Sequence, residues 1–471
     1  MLDYFPKYFT SKAILLYIAL LLVCSSVFYN YILPPVWWIF GIVEAVGFFY
    51  FSNRLTLNWK NYTEKKFLKK LFITALTIRL VWVVFSYWFY TFMTGKPFEF
   101  SVGDAMFYHE SGSWIKDLLT SGQGIQPFLK TLKGGGYSDA GYAIYLGVQY
   151  IFTGNSIIIA RILKALYGAY TCILIYRLTT RNFGEETGRI ASIFTMLMPN
   201  LILYTGLHLK EVEMVLISVW YIERADFLLR STKLSLKTLI FVLLLAGSMF
   251  FFRTVLGVTA LFALFTALIF SSNHLLNMGK RTILIIWVLV TVAYFVGGSI
   301  STEVESVWKA RNINQDTSME WRSERTNGNK FSKYASGVIF APMIFVIPFP
   351  TVVNTPGQEN QQLINGGNYV KNILAFFIFF ALFMIIKEKK WRDYLLLGSF
   401  TMGYLLVIAM SAFAQSERFH QPALPFLLIF AAVGISKVTN NEKKYFKWWL
   451  AVIFVAIVAW SWFKLAGRGM V

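Results

Sequence analysis

The chain has 471 residues, 56% of them hydrophobic, 18% aromatic and only 14% charged. A soluble domain carries roughly 25% charged residues, so this composition excludes an ordinary soluble globular protein. The formal charge of +20 would suggest nucleic acid in a soluble chain. Here most Lys and Arg fall in short loops between apolar runs, where they set orientation and meet anionic headgroups, so no nucleic-acid partner is expected.

Apolar runs of about 17–25 residues recur along the chain, each long enough to cross the hydrocarbon core. The pattern predicts an all-α, polytopic integral membrane protein. The first run, 13–33, follows Lys7 and Lys12. It is too long for a signal peptide and lacks a small-residue cleavage site, so it reads as the first span. Pro34 and Pro35 lead into a second run, 36–52, followed by Arg54, Lys60, Lys65, Lys66, Lys69 and Lys70. The positive-inside rule puts this basic stretch and the N-terminus in the cytoplasm. The third run, 71–92, then goes out.

A long polar segment, 93–138, precedes an apolar stretch of 14 residues, 140–153. That length is short for a span and suits an interfacial or re-entrant helix. If 140–153 stays outside, the run 157–177 brings Arg177, Arg181 and Arg189 inside, as the charge rule requires. The runs 189–206, 212–229, 237–252, 254–272 and 282–300 then alternate. A charged external loop, 301–335, precedes an apolar stretch, 336–353, broken by Pro342, Pro348 and Pro350; it is expected to be re-entrant or interfacial. The runs 370–387, 394–413, 422–437 and 447–464 complete about thirteen spans, with the N-terminus inside and the C-terminus outside. The expected organisation is two spans and a basic loop (1–70), a membrane module with external loop 93–156 (71–300), an external loop with the re-entrant stretch (301–369), and C-terminal spans (370–471).

Charges that oppose positive-inside mark where chemistry belongs. Arg161, Lys164, Lys210, Arg253, Arg418 and His420 fall at or near outer helix ends in this topology. Each alone is explained by snorkelling or by pairing with Asp104, Asp139 or Glu211. As a set they suit a bound phosphate, to which Arg offers a fork and Lys a point charge. Asp104 opens Asp104-Ala105-Met106-Phe107-Tyr108-His109. On a helix Asp104 and Tyr108 share a face, and Asp104 is equally a helix N-cap or a catalytic base. Glu211 begins a span, where the helix dipole favours a carboxylate in any protein. Cys24 and Cys172 lie inside apolar runs and form neither a disulfide framework nor a metal pattern.

These features, in their order, resemble the GT-C glycosyltransferases, polytopic enzymes that use sugars carried on polyprenyl phosphate. The likeness is strongest to the branch containing aminoarabinose transferases and protein O-mannosyltransferases. It rests on Asp104 and Tyr108 in the first long external loop, Tyr137-Ser138-Asp139-Ala140-Gly141-Tyr142 leading into the short helix, Gly154-Asn155-Ser156, and Arg161. It continues through Tyr176-Arg177-Leu178, Phe183-Gly184, Pro199 and Glu211, with Arg253 and Arg418-Phe419-His420-Gln421-Pro422 as later anchors. The resemblance is continuous over 71–230 and patchy beyond. The Lys-Pro-Pro that relatives often carry in the second loop is missing.

The resemblance implies a GT-C-like fold in a bacterial inner (plasma) membrane and an active site facing outside. The partners would be a polyprenyl-phosphate-linked sugar (undecaprenyl phosphate in bacteria) and an acceptor glycan, lipid or protein. It implies inverting transfer with Asp104 as general base and Glu211 as the second catalytic carboxylate. Tyr108, His109, Asp139, Tyr142, Arg161, Lys164, Lys210, Arg253, Arg418 and His420 would bind substrate. No metal is assigned, although Glu211 could hold a divalent ion in some relatives' manner. Two other readings compete: a lipid-linked glycan polymerase or ligase relying on 301–335, and a transporter or flippase, for which Arg79 is the one clear charge within a span.

Overall fold

The computed structural model describes residues 2–100, 103–132, 140–231, 235–272, 278–296, 341–411 and 414–471. Regular structure in this part is helical. In chain order the helices are α1 (Lys7–Val27), α2 (Pro35–Trp59), α3 (Glu64–Thr94), α4 (Asp104–Thr120), α5 (Gln126–Thr131), α6 (Ala140–Thr153), α7 (Ile157–Phe183), α8 (Glu185–Leu197), α9 (Pro199–Leu203) and α10 (Glu211–Arg230). There follow α11 (Leu236–Phe252), α12 (Thr254–Phe270), α13 (Met278–Val296), α14 (Glu359–Leu363), α15 (Asn365–Lys387), α16 (Leu395–Ala409), α17 (Glu417–His420), α18 (Leu424–Lys437) and α19 (Lys443–Ala466).

Every run expected to span has a helical counterpart. Among the described residues, seven segments are long and apolar enough to cross a membrane by length and composition: α1, α2, α3, α7, α15, the segment Glu417–Lys437 and α19. The chain is therefore a multi-pass helical membrane protein; thirteen crossings remain an expectation. α7 packs against α3, α8 and α10, and α15 packs against α18. Nearly all of α18 is buried, which suits a helix apolar on every side. Outer helices expose Leu15, Val43, Val81, Trp88, Trp448 and Val455, as lipid-facing surfaces do.

The short stretch 140–153 forms a helix of its own. Gly154 and Asn155 take positive φ of 59° and 21° and separate α6 from α7. α6 packs on α4. The two approach closely at Gly112 and Gly147, where an added Cβ would lie 2.8 Å from Leu146 Cβ and 2.5 Å from Ile115 Cγ2 respectively. Val148, Ile151 and Phe152 remain exposed along α6, an apolar stripe suited to the headgroup boundary.

The run 189–206, expected to be continuous, divides at Pro199 into α8 and α9. Proline has no N–H, so carbonyls one turn earlier lose their helical partner. Arg79 replaces it: its guanidinium donates to Thr195 O at 3.2 Å and Met196 O at 3.3 Å, and to Ala75 O at 3.2 Å. Arg79, buried within α3, thus has structural partners. In 341–353 the chain is non-helical and its central residues are buried. Such backbone is tolerated at membrane depth only where protein satisfies it. The start of α15 does so: Asn372 donates to Val346 O and Pro348 O, Lys371 to Ile347 O, and Asn365 exchanges two bonds with Thr351.

Candidate active site

Asp104 is the first residue of α4, and its side chain does not cap that helix; Gly103 holds the cap position. The carboxylate instead accepts from Arg418, 314 residues away. The same guanidinium donates from Nε to Glu211 at the start of α10. One arginine therefore joins α4 to α10. The side chains differ in exposure: 59% for Asp104, 19% for Arg418 and 0% for Glu211. Asp104 faces solvent and Glu211 does not.

Two more cations complete the cluster. Arg253 is the single extended residue between α11 and α12. Its guanidinium lies 4.5 Å from the Phe419 ring centre and donates to Tyr404 Oη at 3.4 Å. Lys210 caps the carbonyl end of α11 through a 2.8 Å bond to Phe252 O, and its Nζ lies 5.8 Å from the Tyr108 ring centre. Burial and neighbouring Arg253 pull the Lys210 ammonium down to about 7. Tyr108 meets Tyr142 edge-on at 5.0 Å. Burial, reinforced by Glu211, pushes the Tyr108 phenol up to about 12. Glu211 also lines a narrow cleft with Tyr204, Gln421, Thr171, Thr195 and Arg79.

Behind this cluster lies a second, fully buried one. Lys164 sits 3.7 Å from Glu213 and 4.9 Å from the Tyr142 ring centre, and donates to Leu207 O at 3.0 Å and to Leu209 O. Arg161 donates to Pro97 O. Burial raises the adjacent Glu99 carboxyl above its ordinary range, against the pull of Arg161. His109 Nδ1 lies 2.8 Å from Tyr150 Oη.

Of the residues singled out from sequence, Asp104, Tyr108, Lys210, Glu211, Arg253 and Arg418 gather in the first cluster, and Tyr142, Arg161 and Lys164 border it. His420 turns away: its Nδ1 contacts Lys371 Nζ at 2.8 Å and its Nε2 contacts Ala414 O at 2.8 Å. Asp139 lies outside the described residues. Sequence reasoning missed Glu99, Glu213, Tyr150, His208, Tyr404 and Phe419. Glu213, two residues beyond Glu211 in an apolar span, was the most accessible signal. Among the described residues no three His, Cys, Asp or Glu side chains gather as metal ligands.

The arrangement presents three cations and one buried carboxylate around a solvent-facing aspartate, which suits an anionic leaving group beside a base. Residues 140–296, a third of the chain, match the model of the dolichyl-phosphate-mannose-protein mannosyltransferase family. That stretch contains Glu211, Lys210 and Arg253 and supports a membrane glycosyltransferase of the GT-C type. No curated protein matches the chain.

Proposed function

We propose that this protein transfers a sugar from a polyprenyl-phosphate donor to an acceptor hydroxyl at the outer face of the membrane, with inversion. The observation that carries the reading is Arg418 joined to both Asp104 and Glu211, with Lys210 and Arg253 in the same cluster. Asp104, the exposed carboxylate, takes the proton of the acceptor hydroxyl. The acceptor oxygen bonds to the anomeric carbon as the bond from that carbon to phosphate oxygen breaks, and the electron pair leaves with the phosphate. A phosphate leaving group is a weak base, so it needs cations more than a general acid. Arg253, Lys210 and Arg418 supply them. Glu211, buried, holds Arg418 in place. A single displacement inverts the anomeric carbon and needs no second nucleophilic carboxylate.

Substituting Asp104→Asn keeps the shape and removes the base. The expected result is a loss of transfer rate of about 10²–10⁴-fold, with polyprenyl phosphate still bound. Undiminished turnover in Asp104→Asn would sink the assignment. The transporter reading is weakened by Arg79, which is taken up in capping α8.

A further inference from the structure

His109 stands one residue beyond Tyr108 on α4 and is half-exposed. Its Nδ1 lies 2.8 Å from Tyr150 Oη, and the same oxygen lies 3.0 Å from His208 Nε2. The His109 and Tyr150 rings meet edge-on at 5.6 Å, and Phe98 touches both imidazoles at 5.8 and 6.1 Å. A phenol hydroxyl has one proton to give. Between two imidazole nitrogens it donates to one and accepts from the other.

The buried end fixes the direction. His208 is fully buried, and its Nδ1 has no hydrogen-bond partner among the described residues. The charged groups acting on it are Lys164 and Arg161 and, when protonated, His109. A bare lone pair is attracted by two cations and an N–H is repelled. His208 therefore carries its proton on Nε2 and donates to Tyr150, which donates to His109 Nδ1. The His109 proton is left on Nε2, which has no partner among the described residues and is not among the buried unpaired atoms. Burial lowers both imidazoles from their ordinary value, which favours the neutral rings the chain requires. A chain whose donors all run one way strengthens its last donor.

We propose that Tyr150 and His208 are positioning residues that hold His109 as an Nε2–H donor, and that this donor binds a phosphate oxygen at the membrane surface. The phosphate belongs either to the lipid-linked donor or to a bilayer headgroup. Only the first assignment rests on the transferase reading; the relay does not.

With four histidines in the chain, ¹⁵N-histidine spectra of the full-length protein are tractable in nanodiscs of phosphatidylcholine, with His109→Gln identifying the His109 signals. The expected spectrum shows His109 neutral, protonated on Nε2 alone, and Tyr150→Phe turns it into a tautomer mixture. A proton on His109 Nδ1 in the unaltered protein overturns the relay, whether or not Tyr150→Phe folds. Adding polyprenyl monophosphate should shift the His109 Nε2–H resonance, and His109→Phe, which removes the donor and keeps a ring, should then bind that lipid about tenfold more weakly, as loss of one hydrogen bond to a charged group predicts. A shift produced instead by phosphatidylglycerol in the nanodisc assigns the oxygen to the bilayer. A shift with neither lipid overturns the phosphate site. Absence of sugar transfer with the Nε2–H tautomer intact overturns the transferase reading and leaves the relay standing.

Discussion

At one end of the α7–α10 pair, Arg181 donates to Glu223 at 2.6 Å and to Asp226 at 3.0 Å, Arg230 reaches Asp226 at 2.9 Å, and Arg224 meets Glu223 at 2.8 Å. At the other end, Arg418 holds two carboxylates while Arg253 rests on a phenol and an aromatic ring and makes no ion pair among the described residues. From Glu211 to Asp226 the helix rises about 22 Å, much of the hydrocarbon thickness. The same residue types thus serve two purposes. Interlocked arginines and acids at the Arg181 end tie α7 to α10. The Arg418 end keeps Arg253 against weak partners, beside an exposed carboxylate, an arrangement that fits the proposed anion site.

The sharpest way to break this contrast is Arg418→Ala. It removes the cation shared by Asp104 and Glu211 and leaves Glu211 buried without it. The expected loss in transfer rate is on the order of 10³-fold or more, comparable to removing a principal electrostatic donor, measured with polyprenyl-phosphate sugar in reconstituted protein. Near-normal transfer would place the chemistry elsewhere.

Arg181→Ala tests the other end. Because Arg224 and Arg230 still pair Glu223 and Asp226, the expected cost is about 1.5–3 kcal/mol, the value of a hydrogen bond to a charged group, read as a fall in thermal unfolding midpoint, with affinity for polyprenyl phosphate unchanged in protein that remains folded. A loss of affinity without loss of stability would erase the distinction. Arg253→Ala is the converse. Binding of polyprenyl phosphate should weaken about tenfold to a hundredfold, the value of a hydrogen bond to a charged group, with little change in unfolding midpoint because Arg253 makes no ion pair among the described residues.

Features that depend on neighbouring residues are legible in the sequence. The 14-residue apolar stretch 140–153 forms α6 with the same bounds, because length and flanking glycine act locally. Charge sidedness also suggests a common face for Asp104, Glu211 and Arg418, although their direct contacts are set by the fold. Contacts between residues hundreds of positions apart are not legible in the same way. By sequence Asp104 is as good a helix cap as a base; the fold puts Gly103 at the cap position and frees the carboxylate. Arg79 reads as a charge in search of a function, because the carbonyls it satisfies are freed by Pro199, 120 residues on. His420 groups with Arg418 by proximity, yet two residues along a helical turn point elsewhere, toward Lys371. Non-helical 341–353 is signalled by its prolines, but the asparagines and lysine of α15 that satisfy it are not.

The smallest predicted effect concerns Lys210, and its sign discriminates. Burial and Arg253 bring its ammonium down to about 7, against roughly 10.4 in an unfolded chain. Between those values the unfolded state holds more protons than the folded one. The group therefore destabilises the free protein most below pH 7, and that penalty fades as pH rises toward about 10. A phosphate beside it favours the charged form, so binding takes up a proton above pH 7. The Kd for polyprenyl phosphate should therefore rise with pH from about 7 upward, by at most about tenfold per unit. Lys210→Arg, charged throughout, should flatten that rise, and the difference between the two profiles removes the ligand's own phosphate titration. Parallel profiles from about pH 6 to about pH 9 would mean that Lys210 only caps α11 through Phe252 O. The cluster would then present phosphate with Arg253 and Arg418 alone, and the contrast between the two ends of α7 and α10 would rest on arginine.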